Sequence, residues 1–270
     1  MTEQSSSKSV NPNTLLVVAL VVMAFFAGYL YNKNKTLEGN PKVAGTATTQ
    51  QQDATQQQPA VAIKQDKVDK IFAKGNIFFG NANSKVKIVE VSDPSCPYCH
   101  VAGGQNPELA VQVGTQFKYA SDGGSYIPPV PEFKKLVDSG KAAFAVVYAN
   151  GHGSGEIAMQ ALYCANDQNK FWEAHDLLMT NKGYELINNE VKNDKAAIPK
   201  LVDFVSAQVN PGDLTTCLES GKYASKLTSD QQLAVELGFQ GTPYFIVNTT
   251  PYPGAYSYKD MQATIDSALK

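Results

Sequence analysis

The chain has 270 residues, 43% of them hydrophobic and 18% charged, with a formal net charge of −2. This is an ordinary globular composition, and the scattered charge, without a basic stripe, gives no electrostatic case for nucleic acid. Every basic residue other than histidine is a lysine, so bidentate guanidinium recognition of phosphate or carboxylate is excluded.

After a short N-terminal tail, residues 1–14, the run from Leu15 to Tyr31 carries no charge. At ~1.5 Å per residue it spans about 25 Å, close to the lower limit for crossing a bilayer. Tyr29 and Tyr31, with Lys33 and Lys35 beyond them, are placed as interfacial residues, and no Ala-x-Ala cleavage pattern follows. A retained single-pass anchor over 15–31 is therefore expected rather than a cleaved signal peptide. Flanking charge barely orients it. The four cysteines fit two disulfides and an oxidising compartment, which places the amino terminus in the cytoplasm and the bulk of the chain outside it, at the cell membrane.

Residues 32–67, rich in Thr and Gln, have almost nothing to bury and read as a flexible linker. About 35 such residues reach on the order of 30 to 35 Å. The folded domain is expected over 68–270. Val86 to Val91 is a β-branched strand run, broken by Ser92-Asp93-Pro94-Ser95. Cys96-Pro97-Tyr98-Cys99-His100 follows, and it has two readings. A Cys-x-x-Cys pair opening a helix after a strand suggests thiol–disulfide exchange, whereas Cys-x-x-Cys-His is also the signature of c-type haem attachment, with His100 as axial ligand. Pro97 suits the first turn of a helix. A zinc site would need about four ligands, and no second Cys-x-x-Cys or clustered His pair exists, so no metal or cofactor is expected.

Downstream, Gly103, Gly104 and Pro107 should end the helix early, and Ser121 to Pro131 reads as a long loop, either a substrate-contacting lid or a plain surface excursion. Lys141 to Tyr148 reads as a second buried strand and Phe245-Ile246-Val247 as a third. Between them, about 154–238, the pattern is helical, with segments at 156–165, 198–209 and 229–237. Met261, Ile265 and Leu269 mark a closing helix. Gly151 to Gly155 lacks the Lys-Ser/Thr ending of a phosphate loop. His152 and His175 are isolated, each read as a loop or packing residue. Cys164 and Cys217 lie in separate helical segments 53 residues apart and suggest a structural disulfide, with a second redox pair as the rival.

Taken together, Phe79-Gly80-Asn81, the strand from Lys87 to Asp93, Cys96 to Cys99, Ala161-Leu162-Tyr163-Cys164, Lys170-Phe171-Trp172 and Gly241-Thr242-Pro243 resemble the membrane-anchored DsbA-like oxidoreductases over roughly residues 70 to 270. The resemblance implies a thioredoxin-like α/β fold with an inserted helical subdomain. It implies a cis-proline loop at Thr242-Pro243 that faces the dithiol and pairs with extended substrate, and a buried acid at Glu90 able to take a proton from Cys99. Cys96 would attack and the less exposed Cys99 would resolve the mixed disulfide, with Pro97 and Tyr98 tuning the pair. His100 either adds positive charge near the sulfurs or is a solvated helix residue. The expected activity is introduction of disulfides into exported polypeptides, with reoxidation by a quinone-linked, DsbB-like membrane partner; a reductase or isomerase is the alternative.

Overall fold

The computed structural model describes residues 63–270; the expected anchor, 15–31, and the linker as far as 62 lie outside them. Among the described residues no helix is long and apolar enough to cross a membrane. The first described element, α1 (Gln65–Ile71), buries Val68 and Ile71. Ile63 already packs beside them. Ordered structure therefore begins before Val68, and the last residues of the stretch read as linker belong to the fold.

After β1 (Phe78–Phe79) come β2 (Val86–Ser92), α2 (Pro97–Gly103), α3 (Pro107–Val113), α4 (Pro129–Asp138) and β3 (Ala142–Tyr148). A helical block follows: α5 (Glu156–Asp167), α6 (Phe171–Leu178), α7 (Asn181–Glu185), a π-helical segment (Leu186–Val191), α8 (Ile198–Val205), α9 (Pro211–Ser220) and α10 (Ala224–Glu236). The chain then returns through β4 (Tyr244–Val247) and β5 (Thr250–Pro253) to α11 (Tyr258–Leu269). The result is a mixed α/β sheet carrying a helical insertion between β3 and β4.

The strand order is β1-β3-β2-β4-β5, with β2 parallel to β3 and antiparallel to β4. Because β2 and β3 are covered on both faces, they read as nearly continuous apolar runs rather than as alternating ones. Val86, Ile88, Phe144, Val146, Phe245 and Val247 share one face with α4, α5 and α11. Val89, Val91, Ala143, Val147, Tyr244 and Ile246 share the other, under α1 and the end of α10. Glu90 lies on the first face, in register between Val146 and Phe245. At the heart of that face the buried Phe133 ring meets Phe144, Phe245 and Tyr258.

As the glycines predict, α2 is short, ending at Gly104 in a left-handed conformation with φ 76°. The helix restarts at Pro107, where the Asn106 side chain accepts the Leu109 N–H at 3.1 Å. The expected long loop needs correction on two points. Pro129 to Pro131 form the first turn of α4, where their missing N–H groups cost nothing. Tyr119 and Tyr126 are buried against Val101 and Ala110, so the segment before α4 is packed onto α2 rather than projecting freely. In the insertion, Cys164 of α5 and Cys217 of α9 are bonded, their Cα atoms 6.0 Å apart.

Candidate active site

The C-terminal end of β2 delivers the turn Ser92-Asp93-Pro94-Ser95, and Cys96 follows in extended conformation as the N-cap of α2, with Pro97 at the first helical position. Cys96 and Cys99 are free thiols. The Thr242–Pro243 peptide bond is cis, and the Thr242 carbonyl accepts the Cys96 thiol at 3.2 Å. Cys99 Sγ accepts the Asp93 N–H at 3.5 Å. Thus residues far apart in sequence converge on the two sulfurs. The expected difference in exposure does not exist: Cys96 is 0% exposed and Cys99 1%. A substrate reaches Cys96 only when a covering group moves.

The two thiols differ in ionisation instead. The Cys99 thiol, donating to Cys96, is the main reason the Cys96 pKa falls to about 6; burial opposes the shift, while the Thr242 side chain, the Cys99 N–H and, least, the charge of His152 assist it. The Thr242 carbonyl takes the proton of a neutral thiol and offers nothing to a thiolate, whereas the Thr242 side chain favours the thiolate, so the charged sulfur rests first on Cys99 and then on the Thr242 side chain. Burial pushes the Cys99 pKa well up, and hydrogen bonding to Cys96 and the charges of Cys96 and Glu90 add to that rise. A thiolate is the nucleophile, and a low-pKa thiolate is also the better leaving group. This asymmetry suits Cys96 to both tasks.

Glu90 is 3% exposed and accepts the Ser92 hydroxyl at 2.9 Å. Burial raises its pKa to about 7, against the opposing influence of His175 and the Ser92 hydrogen bond, while the Cys96 charge raises it further. Its carboxyl is thus partly protonated near neutrality and electrostatically linked to both cysteines.

His100 fits neither expectation for it. The ring is fully buried, and burial lowers its pKa to about 4, so it neither faces solvent nor supplies charge at neutral pH. Nδ1 lies 3.0 Å from the Met179 carbonyl and Nε2 2.8 Å from the Pro94 carbonyl. A neutral imidazole donates to only one of these. The ring joins the turn before Cys96 to the end of α6. With both nitrogens against backbone carbonyls it offers none to an iron, and the haem-attachment reading finds no support. Tyr98 is 39% exposed, its ring edge-on to Phe117 at 5.6 Å, so the segment before α4 reaches the rim of the site.

Other residues at the site carried no recognisable signal in sequence. Asp93 was legible only as a strand breaker, yet it is wholly buried. Asn188, in the π-helical segment, donates to the Ser95 carbonyl at 3.3 Å and to the Tyr184 carbonyl at 3.0 Å. The Tyr184 ring stands edge-on to His100 at 4.9 Å. The insertion therefore supplies part of the active-site wall.

Comparison with known proteins gives concordant matches. A family model described as Thioredoxin matches residues 131–267, from within α4 into α11, leaving the dithiol segment outside the match. The chain is 26% identical over 219 residues to a Rickettsia conorii protein named as a protein-disulfide oxidoreductase, covering 80% of this chain and 69% of that one. It is 23% identical over 244 residues to disulfide bond formation protein D of Bacillus subtilis, covering 88% and 86% respectively. The structure of oxidised BdbD from Bacillus subtilis superposes with a TM-score of 0.54 at 22% identity, over 73% of this chain and 94% of that one.

Proposed function

Because this chain belongs to the thioredoxin family, we propose that its two free cysteines make it a protein thiol–disulfide oxidoreductase that introduces disulfides into exported polypeptides. The observation that carries this reading is the opposed ionisation of the pair beside a cis-proline: Cys96 is lowered to about 6 and Cys99 is raised.

In the oxidised enzyme a substrate thiolate attacks Cys96 Sγ. The Cys96–Cys99 bond breaks, and Cys99 leaves with the electron pair and takes a proton, for which Glu90 is the acid at hand. A second substrate thiolate then attacks the substrate sulfur of the mixed disulfide and expels Cys96 as its thiolate. Two electrons pass from the substrate dithiol to the enzyme pair, and the substrate gains one disulfide. The Thr242 backbone, freed from the Cys96 thiol in the oxidised form, is available to pair with an extended substrate segment.

A thiolate stabilised at Cys96 favours the reduced enzyme and so makes its disulfide a stronger oxidant. With a pKa of about 6 in place of the ordinary ~8.5, the gain at pH 7 is about 1.4 kcal/mol, equivalent to about 30 mV. The uncharged run Leu15 to Tyr31 supports a single-pass anchor, with the domain outside the cytoplasm and a quinone-linked membrane partner to reoxidise it. Equilibration with glutathione gives the potential: a value near ~−120 mV supports the oxidant, and one near ~−270 mV replaces it with a reductant. Cys99→Ala should accumulate substrates on Cys96 as mixed disulfides. Absence of such adducts under oxidising conditions sinks the reading.

A further inference from the structure

One side chain fastens the turn before the dithiol to the loop Gly151-His152-Gly153-Ser154-Gly155 that leaves β3. Asp93 is fully buried. Its Oδ2 accepts the N–H groups of Gly151 and His152, each at 2.8 Å, while Oδ1 accepts the Ser95 N–H at 2.8 Å and the Ser95 hydroxyl at 2.7 Å. Ser95 Oγ accepts the Ser154 N–H at 3.3 Å, and Asn193 of the insertion donates to the Gly153 carbonyl at 2.7 Å. The fit is close on both sides: a Cβ on Gly151 would collide with the Thr242 hydroxyl, and one on Gly155 with the Asp93 carboxylate. The main chain of the same residue meets both cysteines. The Asp93 N–H donates to Cys99 Sγ at 3.5 Å, and the Asp93 carbonyl accepts the Cys96 N–H at 2.9 Å. Because β2 ends at Ser92, Asp93 lies beyond the strand ladder, and its carboxylate supplies the anchorage that the sheet does not.

We propose that Asp93 is a positioning residue for the dithiol: clasped by the loop from Gly151 to Gly155, it holds the turn so that Cys99 is set to close on Cys96. This rests on the oxidoreductase reading above and deepens it. All four partners of the carboxylate are donors and none is a sulfur, so it acts by holding rather than by passing a proton. The step it serves is ring closure. When Cys96 carries a mixed disulfide, the Cys99 thiol gives up its proton to a base and attacks Cys96 Sγ. The Cys96–Cys99 bond forms, the bond to the outer sulfur breaks, and that sulfur leaves with the electron pair. Such an intramolecular step gains its advantage from how well the two groups are preset. A loosened turn spreads the positions open to the sulfurs, and the mixed disulfide persists.

The test is the effective concentration of Cys99 against Cys96. Protein equilibrated with reduced and oxidised glutathione is quenched in acid, and mass spectrometry gives the ratio of ring-closed protein to the Cys96–glutathione mixed disulfide. In Asp93→Asn an amide nitrogen faces N–H donors whichever way it turns. Gly155→Ala keeps the carboxylate and drives a methyl group into it, at a residue whose φ of −90° suits alanine. A misplacement of about 1 Å can cost on the order of 100-fold in an oriented reaction, so a partial shift in each variant should lower the effective concentration about tenfold. Joint replacement of Cys164 and Cys217 by alanine weakens the fold elsewhere and should leave the ratio unchanged. If Asp93→Asn does not fold, Gly155→Ala and Ser95→Ala decide. Wild-type ratios in these folded variants overturn the proposal, as does an equal fall in the protein lacking Cys164 and Cys217, which would make the effect one of general stability. Glutathione stands in for a protein substrate. A fall confined to the clasp variants, in a protein that exchanges no disulfide with polypeptides, would therefore count against the functional reading alone.

Discussion

Replacing Glu90 by Gln removes a charge from the middle of the sheet while keeping the shape of the side chain and an oxygen for the Ser92 hydroxyl. The wild-type carboxyl is raised by burial from its ordinary 4.5 to about 7. The folded state holds this proton more tightly than the unfolded chain does, so the favourable contribution is complete below pH 4.5 and is lost as pH rises through 7. Between those values the loss is about 1.4 kcal/mol per pH unit, levelling at about 3 kcal/mol above pH 7. The amide does not titrate. Urea unfolding of the reduced protein at pH 4, 7 and 9 should show the variant gaining on the wild type as pH rises, by about 3 kcal/mol between the extremes. A stability difference independent of pH would refute the placement of a titrating carboxyl at Glu90.

Cys96→Ser isolates the opposite linkage, since a depressed thiol stabilises the fold above its unfolded pKa and loses that contribution as pH falls through about 6. Reduced wild type should therefore gain about 3 kcal/mol on the serine variant between pH 6 and 8.5, with no such slope in the oxidised protein; equal slopes in both would contradict the assignment. His100→Ala empties a buried site and deprives one backbone carbonyl of its donor, costing about 2 to 4 kcal/mol in denaturation, while the pH midpoint of Cys96 alkylation stays put; a moved midpoint would return His100 to the role of charge donor. Cys164→Ala with Cys217→Ala opens a loop of 53 residues and should lower stability by about 2 to 4 kcal/mol without abolishing exchange at Cys96. Loss of exchange in a variant that circular dichroism shows to be folded would instead make that pair part of the electron path.

What the sequence disclosed was whatever is local. The β2 and β3 runs are apolar because both faces are covered, and the short α2 follows from Gly103 and Gly104. Edge strands were less visible. β5 contains Pro251 and Pro253, which pair opposite Ile246 and Tyr244, and prolines argue against a strand except at an edge. His100 was ambiguous because a helix of seven residues shows too little periodicity to tell its buried face from its exposed one. Asp93 and the loop from Gly151 to Gly155 were opaque for a deeper reason. Each looks like ordinary turn chemistry, and their significance lies in hydrogen bonds to each other across some sixty residues of chain.

The opposite pKa shifts of Glu90 and Cys96 belong to one device. Each negative charge raises the cost of the other, so a thiolate at Cys96 tends to keep the Glu90 proton in place. In the proposed reaction, attack on Cys96 expels Cys99 into a buried position where its own pKa is well above the ordinary value, and a bare thiolate there is unfavourable. A carboxyl with a pKa of about 7 can surrender its proton to that sulfur, and in the return direction, when the pair is reoxidised, it can take the proton back. A glutamate at its ordinary 4.5 would have no proton to give near neutrality, and one raised far higher would not accept. The same burial that costs about 3 kcal/mol of stability at high pH thus gives Glu90 the pKa that the proposed two-way proton transfer with Cys99 requires.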